Sequence, residues 1–456
     1  MPGTHPWFGV DSPPAGRTLS TRQVREVLRH ELRDCGTRLQ SDVLALQPLL
    51  ATREAYDELF TSARGLLRLL ERAVREAAGD RAGRLAALGT DEVPYPFFVA
   101  DEDFEMRYAA SMARPDVVIG PDGPKFLEFN VSGTFGGPAE IHLFTHAWTR
   151  IYGGPGVAPF SGHEPFAARA ELYRRVCTEL GLPLGVALLG SRLDRPGAQT
   201  ARYYEVEAEY FRQQGLAAEF VEPADLEGGP GTPRGAGRDL AYPLLHRYFA
   251  IDDWRKLGIS LDPVHRAVQR GSRLFPPQSS YLVANKKVLA WISEGRPWMT
   301  EEDRALVERC LPWTRLVYDR KLAWGGRRHD LADLLLDNQQ HFVLKKAIGM
   351  MGLEVTLGPY VTGPQWRGEV ARALAEGDTI VQQYVEPGRF RMAMSSASGP
   401  EVQSVDIAPV LSPVLFGGVP AGCWARYHGS GQAGMIGASG FGATENVLLA
   451  TGGPHP

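Results

Sequence analysis

The chain has 456 residues, enough for two or three domains and a large buried core. Hydrophobic residues make up 44% and charged residues 22%, an ordinary soluble balance, and the net charge of -4 offers no bulk attraction to nucleic acid or to an acidic membrane. An anionic ligand must therefore be held by a local site, and the 51 glycines and 34 prolines point to many turns rather than to a helix bundle.

In chain order, MPGTHPWFGVDSPPAG shows no basic start followed by an apolar run, so no secretory leader is expected. No apolar segment is long enough to span a bilayer, and a cytoplasmic protein is the expectation. Residues 20 to 90 read as helical, because TRQVREVLRHELRDC and AYDELFTSARGLLRLLERAVREAAGD repeat apolar residues at helical spacing. VPYPFFVADEDFEMRY breaks that pattern, and VIGPDGPKFLEFN (residues 118 to 130) reads as strand, tight turn and strand. The Gly-rich loop VSGTFGGPAE follows. From about residue 165 helices and short buried strands alternate, with LGVALLG, LAAEFVEP and LAYPLLHRYF as strands, which is α/β texture. From about residue 276, SSYLVANKKVLAWISEG carries two lysines at the start of a helix, and HFVLKKAIGMMGLEVTLG reads as strand, Gly-rich turn and strand. DTIVQQYVEP is a buried strand ending in polar groups, and the remaining tail is Gly-rich with one arginine, Arg426.

Strand side chains alternate faces. In the hairpin, Pro115, Val117 and Ile119 share one face with Leu127, Phe129 and Val131, and the other face carries Arg114, Asp116, Glu128 and Asn130. A turn centred near Asp122 sets Asp116 opposite Glu128 and Arg114 opposite Asn130. Two opposed carboxylates repel unless they are solvated or share a cation, and two carboxylates with an amide carbonyl suit Mg²⁺. A half-exposed hairpin with a polar outer face, partly neutralised by Arg114, accounts for the same pattern.

Lys345 ends an apolar run before KAIGMMG, so it can reach phosphates while Gly349 and Gly352 admit backbone N–H groups to them. Lys286 is a second candidate phosphate ligand. Solvated lysines at element ends are the plainer reading of each, and no GxxxxGK[ST] P-loop is present. GSGQAG, residues 429 to 434, matches a dinucleotide fingerprint in letters but lacks a strand before it and a helix after it. His142 and His146 lie four apart and can share a helix face, but no histidine has an HxxxH-plus-carboxylate context that signals zinc, and beside Phe144 and Trp148 packing or capping is the usual role. The cysteines at 35, 177, 310 and 423 form no CxxC pair and read as isolated thiols. No GxSxG nucleophile stands out, so any chemistry here would work by positioning and charge stabilisation.

RPDVVIGPDGPKFLEFNVSGTFGG, LVANKKVLAWI, FVLKKAIGMMGLEV, TIVQQYVEP and the late AGCWARYHGS…SGFGATENVLL occur in that order over roughly residues 90 to 450. Together they resemble the synthetase part of glutathionylspermidine synthase-like, circularly permuted ATP-grasp ligases. The resemblance implies an α/β fold, ATP-grasp and circularly permuted, following an N-terminal helical region at 1–90 that matches no part of the family. Its parts are a permuted ATP-grasp segment with the hairpin at 91–165, a pre-ATP-grasp α/β domain at 166–275, and the nucleotide-binding domain at 276–456. It implies ATP and Mg²⁺ as cofactors. Asp116, Glu128 and Asn130 would hold the metal, and Arg114 and Arg426 would stabilise the transferred phosphate. Lys286, Lys345, Gly349 and Gly352 would hold the nucleotide phosphates, with Gln382, Gln383, Tyr384 and Val385 bordering the adenine. Arg247, Ser132 and Thr134 would face substrate. This sequence departs from the family pattern in Gln383 and in Thr444-Glu445-Asn446, and carries no amidase domain.

The implied reaction is ATP-dependent joining of a small-molecule carboxylate to an amine through an acyl phosphate. No nucleic acid or membrane partner is expected, and a homodimer is admitted as an assembly. A phosphotransferase on a small molecule, a catalytically silent binding protein of the same fold, and a nicotinamide-linked enzyme are the competing readings.

Overall fold

A computed structural model describes residues 4–8, 19–33, 43–153, 159–194, 200–227, 242–349, 354–396, 401–431 and 443–451. Its largest sheet has seven strands. Six follow in the order Leu49–Ala51, Thr444–Thr451, Val419–Tyr427, Val410–Phe416, Met112–Gly120 and Gly123–Val131, and Phe160–Ser161 also pairs with Thr444–Thr451. All of these pairings are antiparallel except that of Leu49–Ala51 with Thr444–Thr451.

The helix Arg53–Arg75 covers one face of this sheet. Thr52 caps it by accepting from the Ala55 N–H, Glu54 lies in the first turn, and Arg72 and Arg75 lie in the last, in accord with the helix dipole. Its buried stripe, including Tyr56, Leu59, Phe60, Leu66 and Leu70, packs into one core with Val117, Phe126, Phe129 and Leu411. The helix Pro138–Tyr152 covers the other face, with Ile141, Phe144 and Trp148 packed against Val414, Trp424, Val447 and Leu449.

Two four-stranded sheets flank this unit. One is parallel, in the order Ala217–Val221, Gly185–Leu189, Leu244–Arg247 and Arg273–Phe275, with the helices Pro165–Leu180 and Thr200–Gln213 supplying the expected alternation. The other is antiparallel, in the order Thr314–Leu316, Thr379–Gln383, Phe342–Lys346 and Val355–Leu357. Among the described residues no helix is long and apolar enough to cross a membrane. The described cysteines, Cys177, Cys310 and Cys423, are free and buried.

Residues 20 to 90 are helical over Thr21–Arg33, Arg53–Arg75 and Arg81–Leu88, but two short strands interrupt them. Leu49–Ala51 joins the main sheet, and Val43–Ala45 pairs with Phe390–Ser396. The Gly-rich tail is also more regular than its composition suggests. Val410–Phe416 and Val419–Tyr427 form a hairpin across Gly417-Gly418, both with positive φ (58° and 79°), a turn that glycine enters without steric penalty.

Candidate active site

The hairpin forms as its alternation predicts. Arg114 pairs with Asn130 and Asp116 with Glu128. Beyond Asp116 the register shifts, so that Val117 faces Phe126 and Leu127 is an extra residue. This β-bulge corrects the expected core face: Phe126 is fully buried and Leu127 only partly so. The bulge also frees the Leu127 carbonyl, which accepts a hydrogen bond of 3.0 Å from Lys345 Nζ.

Lys345, in the strand Phe342–Lys346, is held from two sides. Its ammonium donates to Leu127 O and, at 2.8 Å, to Gln382 Oε1, while Gln382 Nε2 donates to Thr314 Oγ1 at 3.1 Å. Burial, with a smaller push from the neighbouring Lys286, lowers its pKa to about 8 against the pull of Glu128 and Asp116. Lys286 stands at the first position of the helix Lys286–Glu294, which Asn285 caps by accepting from the Lys287 N–H. Its ammonium lies 3.5 Å from Glu128 Oε2 and 3.4 Å from Gly349 O. The neighbouring Lys287 turns away and donates to Leu88 O.

On the same sheet face, Arg426 Nη2 donates to Asp116 Oδ1 at 2.8 Å, and Ser412 Oγ donates to the same oxygen at 2.8 Å. Arg114 Nε lies 3.6 Å from that oxygen. Both guanidinium groups sit over the Trp424 ring, at 5.3 Å and 4.6 Å from its centroid. Burial alone would raise the Asp116 carboxyl pKa, but Arg426 and Arg114 bring it down to about 2. Arg114 also donates to Gly136 O, the foot of the Gly-rich loop, at 3.1 Å.

The metal candidates offer hard oxygens. Among the described residues, the bonds to Asp116 all fall on Oδ1 and the ion pair of Glu128 on Oε2, so each keeps a second oxygen. Asn130 spends its amide N–H on Arg114 O, at 3.1 Å, and keeps its carbonyl. This set fits Mg²⁺ in kind, though Asp116 serves its arginines first.

The remaining candidates are spread around this centre. In the hinge, Gln382 is buried with its amide on Lys345, whereas Gln383 is exposed. The backbone N–H groups of Gln383 and Tyr384 donate to Trp313 O and His341 O, both at 2.8 Å, while Val385 N–H has no backbone partner among the described residues. Tyr384 donates its hydroxyl to Glu386 and lies 3.4 Å from the Tyr360 hydroxyl. Gly349 is described, and its carbonyl lies 3.4 Å from Lys286 Nζ, while Gly352 and residues 432 to 434 of GSGQAG lie outside the described residues.

Arg247 is fully buried on the parallel sheet, with Nη2 donating to Ser280 Oγ at 2.9 Å and its guanidinium 4.5 Å from the Tyr281 ring centroid. Its Nε and Nη1 have no hydrogen-bond partner among the described residues, and no carboxylate pairs with it there. The loop carrying Ser132 and Thr134 closes on the end of this strand. The two hydroxyls are 3.1 Å apart, and a Cβ on Gly133 would fall 2.3 Å from Arg247 O.

Sequence reasoning missed Ser412, Thr314, Trp424 and the Leu127 carbonyl. The Gly-Gly pair between two apolar runs was a signal for the hairpin that carries Ser412 and Trp424. Nothing local marks the bulge.

No family model matches this sequence, and no curated protein matches it. Among solved structures, the chain is similar to a glutathione synthetase-like effector from Globodera pallida in its apo form. The likeness covers 97% of this chain and 99% of the other, with a TM-score of 0.56 and 12% identity. A protein named for γ-glutamylcysteine synthetase, from Methylobacillus flagellatus, aligns over 88% of this chain and 89% of its own, with a TM-score of 0.41 and 13% identity. The fold is of the ATP-grasp type.

Proposed function

We propose that this chain is an ATP-dependent carbon–nitrogen ligase that joins a carboxylate to an amine through an acyl phosphate, on an amino acid or small peptide. The observation that carries the reading is the convergence of Lys286, Lys345, Glu128 and the Arg114–Asp116–Arg426 cluster on one sheet face. Two lysines and two arginines placed together oppose the mutual repulsion of polyphosphate and carboxylate, with no nucleophile required. Residues 112–131, 410–427 and 444–451 build one sheet beside the lysine hairpin, which supports the circularly permuted form.

In this reading the Lys345 and Lys286 ammonium groups bind nucleotide phosphates, and Val385 N–H meets the adenine edge. Glu128 and Asn130, with the second oxygen of Asp116, would hold Mg²⁺, which supplies charge neutralisation between the phosphates. Arg426 and Arg114 face the transferred phosphoryl group, held in place by Asp116 and Trp424. Arg247 receives the substrate carboxylate, since a buried guanidinium with two unpaired N–H positions needs an anion or water. Ser132 and Thr134 border that substrate.

The test is an ADP-release screen over pairs of amino acids and short peptides, with products read by mass spectrometry. Because the G. pallida protein is named for glutathione synthetase, thiol peptide precursors belong in the first set. An amide product supports the ligase, and a phosphorylated product makes the chain a phosphotransferase. Mg·ATP binding without ADP release across the screen supports the silent binding protein.

A further inference from the structure

The helix Pro138–Tyr152 carries His142 and His146 four residues apart, so both rings stand on one face, with centroids 4.2 Å apart. Glu164 caps the next helix, Pro165–Leu180, accepting from the Phe166 N–H at 3.1 Å, and the same oxygen lies 2.9 Å from His142 Nδ1. One ligand atom from each of the three residues lies within 4.8 Å of the other two, and among the described residues this is the one such group. A tetrahedral ion with bonds near 2.0–2.1 Å needs its ligand atoms about 3.4 Å apart, so a side-chain adjustment on the order of an ångström closes the site.

The surroundings hold the ligands in place. Phe166 lies against the His142 ring at 4.6 Å and Tyr210 meets it edge-on at 5.7 Å, fixing its plane. His142 is buried, Glu164 is half-buried and His146 is exposed, so a fourth position opens to solvent. Two imidazoles and one carboxylate suit a borderline divalent cation rather than the hard Mg²⁺ of the cleft. We propose that His142, His146 and Glu164 bind a zinc-class ion that clamps the helix behind the Gly-rich loop to the first helix of the parallel-sheet unit. The proposal is independent of the ligase reading.

The test uses the full chain stripped with a chelator and titrated with Co²⁺ or Zn²⁺ alone. We expect one equivalent of Co²⁺ to give visible d–d absorption of a low-coordinate site, to survive a large excess of Mg²⁺, and to raise Tm. His146→Ala, at an exposed position, should weaken binding by roughly 100-fold or more, since losing even an outer partner typically costs 10- to 100-fold. Glu164→Gln should weaken it as well and guards against misfolding of a single variant. Absence of Co²⁺ absorption in the wild type, or affinity unchanged in His146→Ala, would overturn the site.

Discussion

Lys345 sets the pH behaviour of the cleft. Burial takes its pKa from an ordinary 10.5 to about 8. Between those values the unfolded chain holds a proton that the folded chain has shed, so this group favours folding as pH rises through the window and weighs against it below. Phosphate binding reverses the balance by favouring the ammonium. We therefore expect nucleotide affinity to fall as pH rises through about 8, by up to about tenfold per unit, and calorimetry in two buffers to show proton uptake. Lys345→Met should weaken ATP binding by about 10- to 100-fold, the usual weight of hydrogen bonds to a charge, without lowering Tm. Asp116 behaves oppositely. Its pKa near 2 lies below the usual carboxylate value, so its contribution is present above about pH 4 and is lost as pH falls toward 2. Asp116→Ala would strand two buried arginines and should cost roughly 3–5 kcal/mol in urea unfolding. Glu128→Gln should cut turnover by about 100-fold or more with little change in Tm, as loss of one charge-stabilising group does.

At the level of elements, alternation made half of the hairpin legible. Asp116 opposite Glu128 and Arg114 opposite Asn130 follow from the period of two and a two-residue turn. Leu127 was not legible, because a bulge shifts the pleat by one residue and is specified by what lies across it, here the Lys345 ammonium. The break at Asn285 (ψ 121°) likewise separates Ser280–Ala284 from Lys286–Glu294 and brings Lys286 rather than Lys287 to the cleft. The Gly-rich loop gives an element-level test. Gly133 has no room for a Cβ against Arg247 O. Gly133→Ala should push the loop off the strand, raising KM for the carboxylate substrate more than KM for ATP in steady-state kinetics.

Across the whole molecule, the main sheet draws on residues near 50, 112 to 131, 410 to 427 and 444 to 451. Such non-local pairings leave no periodic trace in any one segment, and for that reason the strand Leu49–Ala51 was hidden in a stretch that reads as helical. It lies parallel to Thr444–Thr451 with all three residues buried. Deleting residues 1 to 52 should therefore uncover the edge of Thr444–Thr451 that Leu49–Ala51 pairs with and remove the Thr52 cap of the helix Arg53–Arg75. We expect the remainder to lose cooperative unfolding by circular dichroism rather than behave as a trimmed enzyme. The central claim is that Lys286, Lys345 and Glu128 hold Mg·ATP, and calorimetric titration with a non-hydrolysable Mg·ATP analogue tests it most directly. Saturable, Mg²⁺-dependent binding by the wild type, weakened by about tenfold or more in folded Lys286→Met and Lys345→Met variants, is the result expected. No binding by the wild type, or equal binding by both variants, would contradict it.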